Sequence, residues 1–336
     1  MAIKIGRQSI MLSNPVRVLS TAAVGGKKES QGPLRRCFDI LSEDSYFAQP
    51  TWEKAEIEMM QRCMKRCVEK APAQSTKPEC IVGGDLLNQC ISSAFAAKDS
   101  KLPYFGLYGA CSTMAEGLTI AALLIDSGAY KTAMALTGSH FCTAERQYRF
   151  PMEYGGQRPP SAQWTVTGAG AALLSTKGGP GISCLTPGRI VDAGICDAGN
   201  MGAAMAPAAY DTITQHFRDS GRDFDYYDAV FTGDLGALGH DILQDMLQKD
   251  GLHPGAKYMD CGVLIYDLRT QDVHSGGSGC GCSASVLCGH IIPAMTRGVW
   301  KRVLFAATGA LMSPLSCQQG CSIPGICHAV ALEMED

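Results

Sequence analysis

Residues 109–138, "GACSTMAEGLTIAALLIDSGAYKTAMALTG", and residues 281–309, "GCSASVLCGHIIPAMTRGVWKRVLFAATG", read as one unit written twice. Cys111 lies 27 residues before Gly138, and Cys282 lies 27 residues before Gly309. Each copy runs Cys-Ser, an apolar-periodic stretch, a glycine-aromatic turn with a basic residue, and an apolar run ending in Thr-Gly. Leu118, Ala121, Ala122 and Ile125 recur at helical spacing, and Gly128 is placed to end that helix with a left-handed cap. "TAMALTG" and "RVLFAATG" are short continuous apolar runs, the pattern of strands covered on both faces. A second echo joins "CIVGGD" (80–85) to "AVFTGD" (229–234), each a buried strand closing on Gly-Asp. Strand, helix and strand in that order, with right-handed crossovers, predict a parallel sheet in each half. The Gly/Pro loop "STKGGPGI" (175–182) is the natural boundary between halves at 1–178 and 179–336. The two cysteine-bearing helix starts are expected to meet across a pseudo-twofold axis.

Composition narrows the function classes. A chain of 336 residues can bury a large core, and 46% hydrophobic with 18% charged residues is a globular balance. The formal net charge of −3 comes without a basic run, so no nucleic-acid footprint is expected. "MAIKIGRQSIMLSNPVRVL" lacks the apolar core of a signal peptide, and no stretch of about 18 apolar residues predicts a membrane span. The expected compartment is the cytosol. There the sixteen cysteines are not a disulfide framework. The clusters Cys280/Cys282/Cys288 and Cys317/Cys321/Cys327 lack the C-x-x-C spacing that grips zinc. Most are expected to be small buried residues, like Cys67 in the helical stripe Ile57, Met60, Met64, Cys67, Val68, Ala71.

Duplicated halves with a cysteine at a strand-to-helix corner resemble the thiolase and ketoacyl-synthase superfamily. "TVTGAGAALLS" (165–175) and "VRVLSTAAVGGKKESQGPL" (16–34) are similar to its Gly-Ala-Gly strand entry and opening strand. Within it, the chain most resembles the stage V sporulation protein AD family. The pieces that carry this are "GDLLNQ", "FGLYGACSTMAEG", "GSHFCTAERQYRFPMEYGGQRP", "MGAAMAPAAYDTI", "GGSGCGCSA", "ATGALMSP" and "SIPGICHAVALE", in order from about residue 15 to 333. The resemblance implies an α/β protein with the thiolase-like layered αβαβα fold made of two pseudo-symmetric halves. It further implies non-catalytic binding of dipicolinic acid (pyridine-2,6-dicarboxylate) for uptake into the developing spore, and a role in release at germination. Implied partners are dipicolinic acid or its calcium complex, the other proteins of the stage V sporulation A operon at the spore membrane, and a second copy in a homodimer. No cofactor is implied, calcium entering only with the ligand. The place of work would be peripheral to the forespore or spore inner membrane, held there by partners.

The residues leave an enzyme open beside the binder. Cys111 at a helix N-terminus has free N–H groups and a positive dipole end beside it, which favours a thiolate or a bound anion. Thiolases take a further histidine from a Gly-His-Pro segment, where this chain has "GGSGCGCSA", and a second cysteine near the C-terminus, where it has Gly325. His140, after the "LTGS" strand end, and His328 are then the candidate polar partners of Cys111. Cys282 joins the set as the pseudo-symmetric mate of Cys111. In "TAERQYRFPMEYGGQRPPSAQW", Arg146, Arg149 and Arg158 offer forks for a dicarboxylate, while Tyr148, Phe150 and Tyr154 offer rings to stack on its pyridine. Each has a structural alternative: a filled elbow at Cys111, packing at Cys282, a backbone-tied histidine at His140 or His328, and arginines paired with Glu145 and Glu153. The competing function is acyl transfer with Cys111 as nucleophile, assisted by His140 or His328. No metal site is expected.

Overall fold

The structure, a computed structural model, describes residues 2–72, 77–149 and 157–335. A hairpin of β1 (Ile3–Ile5) and β2 (Ser9–Met11) leads into β3 (Arg17–Gly25) and the short β4 (Ile40–Leu41). Then come α1 (Trp52–Lys70), β5 (Cys80–Gly84), α2 (Ile91–Ala97) and β6 (Tyr104–Gly106). The first copy of the repeat is α3 (Thr113–Asp126) and β7 (Thr132–Ser139). It is followed by α4 (Phe141–Tyr148), β8 (Trp164–Thr165) and β9 (Gly168–Ser175). The second half runs β10 (Gly181–Thr186), α5 (Met201–Ser220), β11 (Ala229–Thr232), α6 (Gly236–Lys249), β12 (Tyr258–Asp260) and α7 (Cys261–Leu264). Its copy of the repeat is β13 (Gly277–Ser278), α8 (Cys280–Val286), α9 (Ile292–Thr296) and β14 (Arg302–Ala310), with β15 (Gly325–Glu333) after it.

Strands are ordered β12-β11-β14-β15-β10-β3-β9-β7-β5-β6. The middle of that series is a seam: β10 and β3 pair at one position, Gly181 with Arg17. Each side of it has five strands of that order, with β4 added at β3 on one side and the β1–β2 hairpin at β10 on the other. The expected parallel pairing holds where crossover helices connect strands, in β6-β5-β7 and β12-β11-β14. It does not extend to the neighbours β7-β9-β3 or to β14-β15-β10, which pair antiparallel, while the short β4 adds to β3 in parallel. The chain there reverses without a helix crossing the sheet, and a reversal produces an antiparallel neighbour.

Side-chain alternation builds the layers. In β7, Ala133 and Ala135 face the core shared with α3 and α8, while Met134 and Leu136 face Met59, Met60 and Cys63 of α1. In β14, Val303, Phe305 and Ala307 face that central core, and Leu304 and Ala306 face Ala208, Ile213 and Leu243 of α5 and α6. The stack is therefore α1/α2, sheet, α3/α8, sheet, α5/α6, with both sheets covered on both faces. All sixteen cysteines are free thiols, and most are buried. The hairpin β1–β2 lies on the far sheet, where Met11 pairs with Cys184 of β10.

The helix of the second repeat widens into a π turn over Leu287–Ile291 before α9. Pro293 lies just beyond, and a proline has no N–H to give the i−4 carbonyl, so an α-helical bond is missing there.

Candidate functional site

The site begins at the corner after β6. Gly109 and Ala110 turn the chain, with Ala110 held at φ +51°, a left-handed conformation that costs an alanine about 1 kcal/mol or more. The Ser112 hydroxyl donates to Gly109 O at 2.7 Å and the Thr113 hydroxyl to Ala110 O at 2.6 Å, locking the bend. Cys111 is 6% exposed and packs with Leu86, Ala144 and Cys280. The two repeat units do meet: Ser283 Oγ donates to Cys111 O at 3.4 Å. The thiol nearest Cys111 in its cluster is Cys280, whose own S–H donates to Gly138 O at 3.0 Å.

Facing the Cys111 thiol is Asp234, just past β11 and fully buried. Each shifts the titration of the other. Asp234 Oδ2 accepts from Ser278 Oγ at 3.1 Å and from Gly279 N at 2.8 Å, and Oδ1 accepts from Thr308 Oγ at 3.0 Å. Burial pushes this carboxyl up to about 7 in spite of those donors. Burial, and then the neighbouring Asp234, push the Cys111 thiol well above its ordinary range. The lowering expected from the helix N-terminus does not prevail, because partial charges at a helix end are outweighed by loss of water and an adjacent acid. Cys111 is a thiol at neutral pH. Sequence reasoning missed Asp234 as a site residue, although it is the final residue of the repeated "AVFTGD".

Beside Asp234, Gln163 Nε2 donates to Asp234 O at 2.7 Å and to Gly277 O at 2.8 Å, and its Oε1 is buried with no hydrogen-bond partner among the described residues. Cys111, Ser278 and Gln163 form the floor of a cavity of about 760 Å³, a size suited to a small ligand. Its rim carries Glu145, Arg149, Arg158, Asp272 and His274. The Arg158 guanidinium lies 4.3 Å from the Trp164 ring centre, and the Lys28 ammonium lies 3.9 Å from it. One terminal nitrogen of Arg158 is buried with no hydrogen-bond partner among the described residues. Burial holds this guanidinium below its ordinary range, yet it stays charged at neutral pH. Arg149 reaches Glu145 at 3.4 Å, and Tyr148 donates to Leu86 O at 2.8 Å while lining the wall.

Of the residues singled out from sequence, Cys111, Tyr148, Arg149 and Arg158 come together here. Arg146 does not line this cavity. It pairs with Glu53 at 2.6 Å over the Trp52 ring and lines a neighbouring cavity of about 640 Å³. His140 is no partner of Cys111: it caps α4, its Nδ1 accepting from Cys142 N at 3.2 Å and its Nε2 donating to Ser45 O at 2.8 Å. Burial lowers its basicity. His328 sits on β15, with Nδ1 accepting from Gly188 N at 3.1 Å, and burial brings it down to about 4. Cys282 is fully buried in the central core. These three face protein because strand ends and helix starts in this fold are tightly packed. Phe150, Glu153 and Tyr154 lie outside the described residues. Among the described residues, no group of three histidine, cysteine or acidic side chains is arranged to hold a metal ion.

Two layered halves meeting at a cysteine corner define a thiolase-like protein, and solved structures agree. The 3-oxoacyl-[acyl-carrier-protein] synthase III from Aquifex aeolicus superposes with a TM-score of 0.58 at 14% identity, over 95% of this chain and 99% of that one. Cerulenin-bound OleA from Xanthomonas campestris does so with a TM-score of 0.60 at 13% identity, over 96% and 100%. At the level of sequence, the family described as Stage V sporulation protein AD matches residues 6–333. The stage V sporulation protein AD of Bacillus subtilis (strain 168) is 44% identical over 329 residues, 98% of this chain and 97% of its own. The chain belongs to the stage V sporulation protein AD family.

Proposed function

We propose that the cavity at Cys111 binds dipicolinic acid without chemical conversion, for uptake into the developing spore and release at germination. The observation that carries this reading is the Arg158 guanidinium, half-buried, stacked on Trp164 and lining the cavity. Such a fork suits a carboxylate, and Tyr148 and Arg149 line the same wall. Acyl transfer is the less favoured reading, because the thiol faces an acid that raises its pKa and neither His140 nor His328 lines the cavity.

Calorimetric titration with dipicolinate, with and without calcium, tests the proposal. Saturable binding should weaken about 10- to 100-fold in Arg158→Ala, the value of a charge-assisted hydrogen bond. A stable acyl adduct on Cys111 after incubation with an acyl-coenzyme A, read by mass spectrometry, would overturn it.

The proposal includes action beside the other proteins of the stage V sporulation A operon, peripheral to the forespore or spore inner membrane. No described helix is long and apolar enough to cross a membrane, so partners would supply the attachment. It also includes a homodimer. β6 ends the strand order, and Phe95, Phe105 and Tyr108 near it are 44%, 39% and 49% exposed, a surface a second copy would cover.

A further inference from the structure

The fixed charges that line the cavity cancel. Arg149 and Arg158 are matched by Glu145 and Asp272, and His274 is the remaining side chain of the described lining that can gain a positive charge near neutral pH. The backbone holds His274 at the rim. Its φ of +53° is left-handed, a conformation uncommon for a residue that carries a side chain. Val273 before it is fully buried. Ser275 after it is fastened at every polar group: its N–H donates to Ala162 O at 3.0 Å, its carbonyl accepts from Ala237 N at 2.7 Å, and its hydroxyl oxygen accepts from Leu238 N at 3.1 Å. Backbone strain persists where its surroundings over-determine it, and it gathers at ligand sites. The His274 side chain is 24% exposed, with Nε2 3.4 Å from Asp272 Oδ1. Glu145 already has Arg149 at 3.4 Å, whereas the ion-pair partner of Asp272 among the described residues is His274.

We infer that His274 makes the cavity a pH-dependent anion site: as imidazolium it offsets Asp272 and leaves the lining with a positive excess for a dicarboxylate, and as imidazole it leaves the lining without net charge. This rests on the dicarboxylate reading of the cavity and adds to it a regulation of the same site. Affinity is then full at low pH, is lost as pH rises through the titration of the ring, and in between binding takes up a proton. Around His274, α4 presents Glu145, Tyr148 and Arg149, the loop before β8 presents Arg158, and its own loop presents Asp272. Lys28 feels both Asp272 and Arg158, with the buried Glu29 beside it. Asp197, next to the lining residues Ala198 and Gly199, accepts from Gly199 N at 2.8 Å. The α6 helix, whose first turn bonds Ser275, carries Asp241 and His240, the latter stacked on Tyr258. On the floor Cys111 keeps its proton, and Asp234 titrates at about 7.

Calorimetric titration with dipicolinate at pH 6 and pH 8, in the wild type and in His274→Asn, separates His274 from Asp234. The carboxylates of the ligand are ionised across this window. The ratio of affinity at pH 6 to affinity at pH 8 should be about five- to tenfold larger in the wild type than in the variant, a size between exposed and buried charge contacts. The pH dependence left in the variant belongs to Asp234. At pH 7, titrations in two buffers of different ionisation enthalpy should show the wild type taking up about half a proton more than the variant. Asparagine tolerates the left-handed backbone; should His274→Asn still fail to fold by circular dichroism, His274→Gly carries the same comparison. Equal affinity ratios, or equal proton uptake, in the wild type and the folded variant overturn the inference while leaving the dicarboxylate site standing. Absence of saturable dipicolinate binding at either pH removes both.

Discussion

At Cys111 a helix N-terminus and a buried acid pull the thiol in opposite directions, and the acid wins. Reaction with iodoacetamide at pH 7.5 should therefore be much slower at Cys111 than at the exposed Cys196 and Cys321, as peptide mass spectrometry would measure. Equal labelling would mean that the thiol is activated after all. Asp234 leaves its own mark on stability. Its carboxyl titrates near 7 when folded, against 3.8 as the ordinary value, so the folded state holds the proton more tightly. This contribution is fully present below pH 3.8, declines as pH rises toward 7, and is absent above that; the separation corresponds to about 4 kcal/mol at most. Asp234→Asn should thus gain on the wild type between pH 4 and pH 8 in urea denaturation; a constant difference would contradict the assignment. The thiol corner was legible in the sequence, because Gly-Ala before it and Ser-Thr after it are the residues such a bend uses. Its partner was not, because Asp234 reaches Cys111 only through the packing of the two halves.

Helix starts and strand ends in this fold approach each other so closely that side chains are excluded. A Cβ on Gly309 of β14 would lie 2.7 Å from Gly109 O and 3.1 Å from Ser112 N, both in the Cys111 corner. Gly309→Ala should therefore displace that corner, lowering stability by about 1–3 kcal/mol and weakening dipicolinate binding. Gly138 is the matching position in the first repeat, but a Cβ there meets the Met60 side chain, Cγ at 2.9 Å and Sδ at 3.3 Å, and Ala169 Cβ at 3.2 Å. Gly138→Ala should be the milder change, because methionine can move aside. Thermal melts of the pair give the comparison; equal losses would show that close backbone approach is not the cause. The repeated unit was readable because its helix and strand periods are local. The job of His140 was not: a histidine after a strand end reads equally well as a ligand or as a cap, and only Ser45 and Cys142 decide it.

Across the whole molecule the two sheets share one paired position, and the hairpin β1–β2 crosses to the far sheet. Asp219 on α5 fastens it, accepting from Arg7 N, Gln8 N and Ser9 N at 2.8, 2.8 and 2.9 Å. Partial burial raises this carboxyl, but the donors outweigh burial and hold it well below the usual carboxylate range. The bond set is complete above pH 3.8 and is lost as acid protonates the group. Asp219→Ala should cost about 2–4 kcal/mol at pH 7, with faster hydrogen exchange confined at first to residues 7–11. Uniform exchange across β3 as well would show that the hairpin is not separately fastened. The crossing was invisible in the sequence, where residues 3–11 adjoin the first half's opening strand and nothing local names a partner so far along the chain. It also sets a timetable for synthesis. The first hairpin to leave the ribosome lacks its sheet neighbour and its fastening carboxylate until Cys184 and Asp219 have followed, an interval of roughly ten to forty seconds at about 5–20 residues per second. The nascent N-terminal hairpin must wait undocked throughout, with Lys4, Arg7 and Gln8 as the polar residues that interrupt its isoleucines.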